Sequence, residues 1–140
     1  MKWIIAAALP LMAASCDKET VLPGSDLPEK ISTYISTHFP DHKVIQYIKD
    51  KEGFELTHDV TISEGIFLEF NRKEEVIEID AATRLPDSVI PAKILAYVGA
   101  NYPEQVITDW EIDDRHQQVE LDNGLTLEFN MDGEYLRIDS

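Results

Sequence analysis

Apolar and polar positions follow two alternating periods along this chain, and the same order of periods occurs twice. A helix-compatible segment runs from Leu27-Pro28 to Phe39-Pro40, and a counterpart runs from Ile90-Pro91 to Tyr102-Pro103, 63 residues later. Proline suits the first turn of a helix, and the residue before a proline avoids the helical region, so each segment is bounded at both ends. The pattern predicts helices over about Pro28–His38 and Pro91–Asn101.

Four runs with a period of two, which is typical of strands, follow each predicted helix. They cover about Val44–Lys49, Phe54–Thr61, Ile66–Asn71 and Val76–Asp80 in the first half, and about Val106–Ile112, Gln117–Leu121, Leu125–Asn130 and Tyr135–Ile138 in the second. Turn signals lie at Asp50–Gly53, Asn123-Gly124 and Asp132-Gly133, and such short connections require antiparallel neighbours. We therefore predict an α+β fold in which two tandem α-β-β-β-β repeats form an antiparallel sheet with both helices on one face.

The two repeats differ in length within their strands. The helices align at an offset of 63 residues, whereas Gly65 and Gly124, like Phe70 and Phe129, align at 59. The first repeat therefore carries four extra residues between its first and third strands. We expect the longer second strand, around Phe54–Thr61, to absorb them.

Strict alternation assigns each strand residue to one face of the predicted sheet. The side expected to form the core with the helices carries Tyr47, Ile66, Leu68, Phe70, Ile77, Ile79, Trp110, Ile112, Leu125, Leu127, Phe129, Leu136 and Ile138. The opposite side carries Phe67, Glu69, Val76, Glu78, Asp109, Glu111, Asp113, Glu120, Thr126, Glu128, Tyr135 and Arg137.

Ten residues of this opposite side, all except Val76 and Thr126, form the candidate binding face. Phe67 and Tyr135 would be aromatic anchors inside an acidic rim, which is the anatomy of a protein-binding patch. A solvated sheet surface is the alternative for the acids. For the two aromatic residues, the alternative is burial by an edge loop or a self-association contact.

The start of the chain predicts a targeting segment. Lys2 precedes the apolar run Trp3–Ala14, which is short for a membrane span. The only cysteine, Cys16, follows Ala-Ala-Ser and resembles the bacterial lipobox, although Ala13 stands where that pattern prefers Leu. We predict a lipoprotein signal peptide over 1–15, lipidation at Cys16, a flexible tether over 16–26 and one domain over 27–140, with repeats at about 27–85 and 90–140. An ordinary secretory signal is the alternative.

The net charge is −15, and loss of residues 1–15, which contain Lys2 and no acid, would make it −16. Nucleic acid is excluded as a partner because binding it needs a basic footprint. An anionic membrane surface would repel the folded part. Basic proteins, cationic ligands and divalent metals remain, beside the alternative that the charge only maintains solubility.

The sequence shows no catalytic motif and no metal-ligand spacing. His38 and His42 are four residues apart, but Phe39-Pro40 breaks the helix that would align them. Asp109, Glu111 and Asp113 share one side of a strand, which spreads them roughly 6–7 Å apart rather than around one calcium ion. We therefore predict no enzyme, no cofactor and no resident metal.

A duplicated helix-plus-strands unit behind a lipobox resembles the PepSY-like, beta-lactamase-inhibitor-like lipoproteins of Gram-negative bacteria. The motifs that carry the resemblance are Leu27-Pro28, Phe39-Pro40, Leu68 to Asn71, Ile90-Pro91, Tyr102-Pro103 and Leu127 to Gly133. In the first repeat Arg72-Lys73-Glu74 replaces the turn typical of the family, so we expect an irregular hairpin there. The resemblance implies a small secreted or lipid-anchored α+β module, and fold alone does not transfer function.

These features favour a non-catalytic, lipid-anchored module of the cell envelope, either protein-binding or inhibitor-like. Its acidic sheet face would hold a basic envelope or secreted protein. The expected location is the outer membrane, on its periplasmic or cell-surface side. Asp17-Lys18-Glu19 resembles an acidic signal for surface exposure. The alternative function is binding of a small ligand, a glycan or calcium.

Overall fold

A computed structural model describes residues 18–139, which form an α+β structure with two α-helices, α1 (Glu29–His38) and α2 (Ala92–Asn101). The strands are β1 (Lys18–Leu22), β2 (Val44–Glu52), β3 (Glu55–Ile62), β4 (Ile66–Phe70), β5 (Val76–Asp80), β6 (Ile107–Asp113), β7 (His116–Leu121), β8 (Thr126–Asn130) and β9 (Tyr135–Asp139). Within residues 18–139 no helix is long and apolar enough to cross a membrane. The predicted signal peptide and Cys16 lie outside the described residues.

All nine strands form one antiparallel sheet in which the spatial order equals the chain order, so every strand pairs with its sequence neighbours. Helix α1 lies in the connection from β1 to β2, and α2 lies in the connection from β5 to β6. The two repeats meet where β5 pairs with β6. That ladder consists of Glu78 opposite Glu111, Ile79 opposite Trp110, and Asp80 opposite Asp109.

Both helices begin directly after a proline and end directly before the aromatic residue of the aromatic-proline pair, as predicted. The N–H of Phe39 donates to the carbonyl of Ile35 at 2.7 Å, and the N–H of Tyr102 donates to that of Val98 at 2.7 Å. The following proline has no N–H with which to continue either helix. The proline before each helix and the aromatic-proline pair after it therefore set the length of both helices.

The helices bury residues four positions apart, which lie on one side of a helix. Helix α1 buries Ile31 and Ile35, and α2 buries Ile94 and Val98. All four belong to one continuous apolar core. Full burial of an aliphatic side chain of this size contributes about 1.5–3 kcal/mol, so these contacts hold the short helices in place.

Each helix also places a tyrosine against a strand phenylalanine of its own repeat. The rings of Tyr34 and Phe70 meet edge to face at 5.6 Å, and those of Tyr97 and Phe129 do so at 5.5 Å. Across the sheet, directly paired core residues continue from β4 to β8: Leu68, Ile79, Trp110, Val119 and Leu127. The two repeats therefore share one row of core side chains.

Part of the predicted tether is a strand. Residues 18–22 pair with β2, from Lys18 opposite Lys51 to Leu22 opposite Tyr47, and Leu22 packs against the core. This segment is short and mostly polar, so its side chains carry no clear alternation, yet backbone hydrogen bonds to β2 suffice to hold an edge strand. The prediction of a flexible tether is wrong for residues 18–22.

The four extra residues of the first repeat lengthen the β2–β3 hairpin. Tyr47 and Trp110 are equivalent, since both are buried and both lie opposite a valine. The hairpin ladder extends five residues beyond Tyr47, to Glu52, but only three beyond Trp110, to Asp113. Each strand of the first hairpin therefore gains two residues, so the prediction that the second strand alone absorbs all four is wrong.

The turn that closes this hairpin is shorter than predicted. Glu52 pairs with Glu55, so only Gly53 and Phe54 lie in the turn, and the predicted turn over Asp50–Gly53 is wrong. Gly53 has a φ of 59°, which glycine adopts without steric cost. Phe54 projects from the tip and is 98% exposed.

A bulge in β5 reverses the predicted assignment at its start. Val76 pairs with Phe70 and Glu78 pairs with Glu69, so Ile77 has no partner in the ladder. Val76 packs against the core, contrary to its predicted outward position. Ile77 is half-buried beside Phe54 instead of joining the core.

The same bulge occurs in β9, where it moves Tyr135. Tyr135 pairs with Phe129 and stacks on Tyr97 of α2, with ring centroids 4.4 Å apart. Leu136 has no partner in the ladder and is 40% exposed. The predictions that Tyr135 faces away from the core and that Leu136 faces into it are both wrong. Ile138 pairs with the core residue Leu127, but it is 45% exposed because β9 is an edge strand.

The β4–β5 and β8–β9 turns have one conformation despite their different sequences. The side-chain oxygen of Asn71 accepts hydrogen bonds from the N–H groups two and four residues later, at 2.9 and 3.1 Å, and Asn130 does the same at 3.0 and 2.9 Å. Glu74 has a φ of 63° where Gly133 has 85°. The irregular hairpin that the sequence predicts here is therefore wrong. The turn has the same form as its counterpart but holds a non-glycine residue, Glu74, in a left-handed conformation.

Candidate binding face

The strand registers bring the predicted acidic residues together in two lateral rows on the side opposite the core. From β3 to β9, one row is Asp59, Glu69, Glu78, Glu111, Gln118, Glu128 and Arg137. The other is Thr61, Phe67, Asp80, Asp109, Glu120, Thr126 and Asp139. Neighbours within a row are about 4.8 Å apart at the backbone, and the rows are about 6.6–7 Å apart along each strand.

Seven carboxyl groups of these rows form what we call the acidic cluster: Asp59, Glu69, Glu78, Asp80, Asp109, Glu111 and Glu120. Within residues 18–139, four ion pairs occur, and none involves a member of the cluster. Asp59 and Asp80 were not among the predicted site residues. The alternation that selected Glu78 also includes Asp80, so that residue was detectable from the sequence.

Glu69 has the environment of a carboxyl that ionises with difficulty. Its pKa is raised from 4.5 to about 7, mainly by burial and also by the neighbouring acids Asp59 and Glu78. Glu69 lies directly opposite Glu78 in the ladder, so the two carboxyls repel each other when both are ionised. Near neutral pH Glu69 is therefore only partly ionised, and a nearby cation would displace its proton.

Asp109 repeats this situation where the repeats meet. Its pKa is raised from 3.8 to about 7, mainly by burial and also by the neighbouring carboxyl of Asp80, whereas a hydrogen bond from Thr108 opposes the change. Thr108 Oγ1 donates to Asp109 Oδ2 at 2.8 Å, while Oδ1 is buried without a partner. One oxygen of Asp109 is therefore neither solvated nor hydrogen-bonded.

Two further acids show the same trend. Burial raises the pKa of Glu111, and Glu78 adds repulsion across the strand pair. Burial likewise raises the pKa of Asp59, although a hydrogen bond from Thr57 opposes it. Four acids of the cluster are thus harder to ionise than in water, and desolvation is the largest cause for each.

A groove of about 490 Å³ lies over β5, β6 and β7 within this face. Its polar lining includes Glu78, Asp80, Asp109, Glu111, Glu120 and Thr126. A smaller concavity of about 180 Å³ lies beside it, over β2, β3 and β4, and includes Asp59 and Glu69. The cluster therefore lines two adjoining depressions rather than a flat surface.

Glu128 and Arg137 form a different environment from the one predicted. Glu128 Oε1 lies 2.7 Å from Arg137 Nη2 and 2.8 Å from His116 Nδ1, and its side chain is only 5% exposed. Glu128 is thus a buried, internally paired carboxylate instead of part of an open rim. Asp113 lies at the end of β6, opposite His116 and away from the groove.

The predicted pair of outward aromatic anchors is reduced to one. Phe67 lies between Thr61 and Asp80 in its row and is half-buried, whereas Tyr135 packs on the core side. In the described range 18–139, no group of three or more histidine, cysteine or acidic side chains is arranged to hold a metal ion. The chemistry that this face offers is therefore electrostatic: half-buried and exposed carboxyl groups without ion-pair partners among the described residues, beside one aromatic ring.

The sheet and its two repeats define a class of protein, a duplicated α+β module with an acidic sheet face. The chain belongs to the family described as "Putative beta-lactamase-inhibitor-like, PepSY-like", whose model matches residues 14–60 and 56–137. The two matches confirm both the resemblance and the tandem repeat.

Crystal structures of similar proteins share this architecture. A "putative periplasmic protein" of the DUF2874 family from Bacteroides vulgatus is 33% identical, with a TM-score of 0.81 over 91% of this chain and 99% of that one. A "putative calcium-regulated periplasmic protein" from Bacteroides thetaiotaomicron is 28% identical, with a TM-score of 0.82 over 87% and 97%. A periplasmic protein of unknown function from Bacteroides vulgatus is 31% identical, with a TM-score of 0.82 over 88% and 100%. No curated protein matches the chain.

Proposed function

We propose that this protein is a non-catalytic binding module of the cell envelope, anchored by lipid at Cys16, whose acidic sheet face holds a basic segment of another protein. Both helices cover the core side of the sheet, which leaves the acidic face open. The three similar proteins are described as periplasmic, which supports an envelope location. The lipobox-like segment before Cys16 supports the anchor, in the outer membrane and on either its periplasmic or its cell-surface side.

The observation that carries the proposal is the absence of a cation from the acidic cluster among the described residues. Glu128 shows that this fold can bury a carboxylate when it supplies Arg137. It supplies no such partner to Glu69 or Asp109, whose pKa values are raised to about 7. A lysine or arginine from outside would lower both pKa values and bind with release of protons.

The spacing of the cluster suits an extended segment. Alternate side chains of a strand lie about 6.6–7 Å apart, which matches the spacing of the two rows along each strand. If a bound extended segment carries two basic residues at alternate positions, one of them would therefore lie over the first row of acids and the other over the second row. Phe67, in the second row, supplies an apolar contact beside them.

A photo-crosslinking residue at Phe67 tests this in cells, because benzoylphenylalanine keeps an aromatic ring there. We expect a crosslinked product that is lost when Glu69, Glu78, Asp109 and Glu111 are changed to Gln or Asn. The matched control carries the same crosslinker at Ile45, which is 66% exposed outside the acidic cluster. Equal products from both positions, or a product that survives neutralisation of the acids, would contradict the proposal.

Calcium is the second candidate, because one similar structure is described as calcium-regulated. Asp109 and its neighbours could rearrange around an ion, since Ca²⁺ accepts six to eight oxygen ligands in flexible geometry. Calcium, but not magnesium, should then raise the melting temperature, and Asp109→Asn should abolish the increase. Equal effects of both ions in the wild type and in Asp109→Asn would indicate only charge screening.

Localisation is tested separately by Cys16→Ala. The anchored protein should move from the membrane fraction to the soluble fraction of the envelope, and protease treatment of intact cells should report the side on which it lies. Retention of Cys16→Ala in the membrane fraction would contradict the lipid anchor while leaving the binding face untested.

A further inference from the structure

We propose that the tip of the β2–β3 hairpin is a second membrane contact, in which Phe54 inserts into the bilayer interface and orients the domain on its lipid anchor. The inference rests on the lipid anchor at Cys16 proposed above. The surface that the tip contacts is the phospholipid bilayer into which the lipid at Cys16 is inserted.

Phe54 is the first observation. It is 98% exposed, whereas the other phenylalanines of residues 18–139 are buried or half-buried. It shares a groove of about 330 Å³ with Leu56, Ile77 and Arg72, and the Arg72 side chain donates to the carbonyl of Phe54 at 2.7 Å. The ring thus stands on a turn that is fastened to the neighbouring hairpin, next to further apolar surface.

The position of the tip is the second observation. Lys18, the first described residue, pairs with Lys51, only three residues before Phe54. Cys16 precedes Lys18 by two residues, which span at most about 7 Å. The attachment point of the lipid and the exposed ring therefore lie at the same end of the sheet.

The length of the hairpin is the third observation. Its four extra residues carry Phe54 two residue pairs beyond the level that the equivalent β6–β7 hairpin reaches. The turn of that shorter hairpin holds Asp114 and Arg115. The repeat that lies next to the anchor is thus the one with the longer, apolar tip.

The charge of the tip indicates how it binds. Lys51 and Arg72 stand beside Glu52 and Glu55, so attraction to anionic headgroups is not the main force. An aromatic ring at the interface is held by its apolar body, and the lipid provides the affinity. We therefore expect contact on zwitterionic bilayers, and weaker contact on anionic bilayers, which repel the strongly acidic folded part.

Tryptophan quenching tests the contact. Phe54→Trp protein is reconstituted through its lipid into phosphatidylcholine vesicles that contain brominated acyl chains, and Trp110, which is 6% exposed, supplies a constant background. We expect several-fold stronger quenching than for Arg115→Trp, the matched control in the equivalent turn. Equal quenching of both variants, or quenching of neither, would overturn the proposal.

A second preparation separates this inference from the anchor itself. Cys16 is the only cysteine, so a maleimide-linked phospholipid can be attached there whether or not cells lipidate it. Quenching of Phe54→Trp in that preparation supports the hairpin contact even if the cellular anchor proves wrong. Absence of quenching there, with the lipid verified by mass, would overturn the contact while leaving the anchor intact.

Discussion

The β4–β5 hairpin of the first repeat and the β8–β9 hairpin of the second place a glutamate at the same position but treat its charge differently. Glu69 lies opposite Glu78, whereas Glu128 lies opposite Arg137. Glu128 is buried and paired, while Glu69 remains half-buried with a pKa raised to about 7. The comparison teaches that the backbone does not dictate the charge of this face, so the unpaired acids are a property of the first repeat and of the junction between the repeats.

The largest expected effect tests whether the repeats are independent. Phe70 and Phe129 are both fully buried beneath the tyrosine of their own helix. Changing either to Ala should lower the free energy of unfolding by about 3–5 kcal/mol, measured by urea denaturation. Because the repeats share one core, each variant should unfold in a single transition. Two separate transitions in either variant would show that the repeats are stable independently.

An exchange of charges tests the comparison directly. Arg137→Ala should destabilise the protein by about 2 kcal/mol, because Glu128 stays buried while only His116 remains beside it. Glu78→Arg should instead stabilise the first repeat, because it gives Glu69 the cation that Glu128 already has. Both changes are measured by thermal unfolding at neutral pH.

The pH dependence of Glu78→Arg sharpens the same test. The folded pKa of Glu69 lies above its unfolded value, so its contribution to stability is present below about pH 4.5 and is lost as pH rises through about 7. The gain from Glu78→Arg should therefore be larger at pH 8 than at pH 5. A gain that does not depend on pH would mean that the new arginine acts through packing rather than through Glu69.

A buried polar pair provides the third comparison. The Tyr47 hydroxyl lies 2.7 Å from His58 Nδ1, and the equivalent Trp110 indole donates to Gln117 at 3.0 Å. Tyr47→Phe should cost about 1–2 kcal/mol because it leaves a buried histidine nitrogen without its partner. Trp110→Phe is the counterpart in the second repeat, but it also removes part of a large buried ring and should cost more.

His58 makes only the first of these pairs sensitive to pH. Burial lowers the pKa of His58 below its usual 6.5, so the associated stability is present above pH 6.5 and is lost as pH falls through the folded pKa. His58→Gln, which copies Gln117, should remove that loss. The measurement is the difference in unfolding free energy between the two proteins from pH 8 to pH 5, and a constant difference would contradict the prediction.

The smallest effect concerns the two matching turns. Glu74 occupies the left-handed position that Gly133 occupies in the second repeat. Glu74→Gly should stabilise the protein by about 1 kcal/mol, because glycine adopts this conformation without steric cost. Gly133→Ala should destabilise it, since the added Cβ would also lie 3.0 Å from Lys93 Cβ. Chemical denaturation of both variants at one pH provides the measurement.

Much of the fold was predictable because local signals and the duplication agreed. A proline marks the start of each helix and an aromatic-proline pair marks its end. Period-two alternation located eight of the nine strands. Strand β1 escaped prediction because its structure comes from pairing with β2 rather than from its own side chains. Val76-Ile77 and Tyr135-Leu136 were misassigned because alternation assumes an unbroken pleat. Two adjacent apolar residues at the same place in both repeats were an available sign of a bulge.

The candidate face was predictable in its composition but not in its pairing. Alternation placed Glu69, Glu78, Asp109 and Glu111 on one side of the sheet. Only the register between strands shows that Glu78 faces Glu69 while Arg137 faces Glu128. A charge that is neutralised inside the fold and one that is free to meet a partner look alike in sequence, because the difference depends on side chains from a neighbouring strand.

The chain-order topology of the sheet has a consequence for how the protein folds. Every ladder joins strands that are consecutive in sequence, so no strand must wait for a distant segment to arrive. Local pairings of this kind close small loops and lower the entropic barrier to folding. Strands β2–β5 can therefore form while the second repeat is still unstructured, and each later strand adds to an edge that already exists. A chain that emerges gradually, from its N-terminus onwards, meets no topological obstacle to folding as it appears.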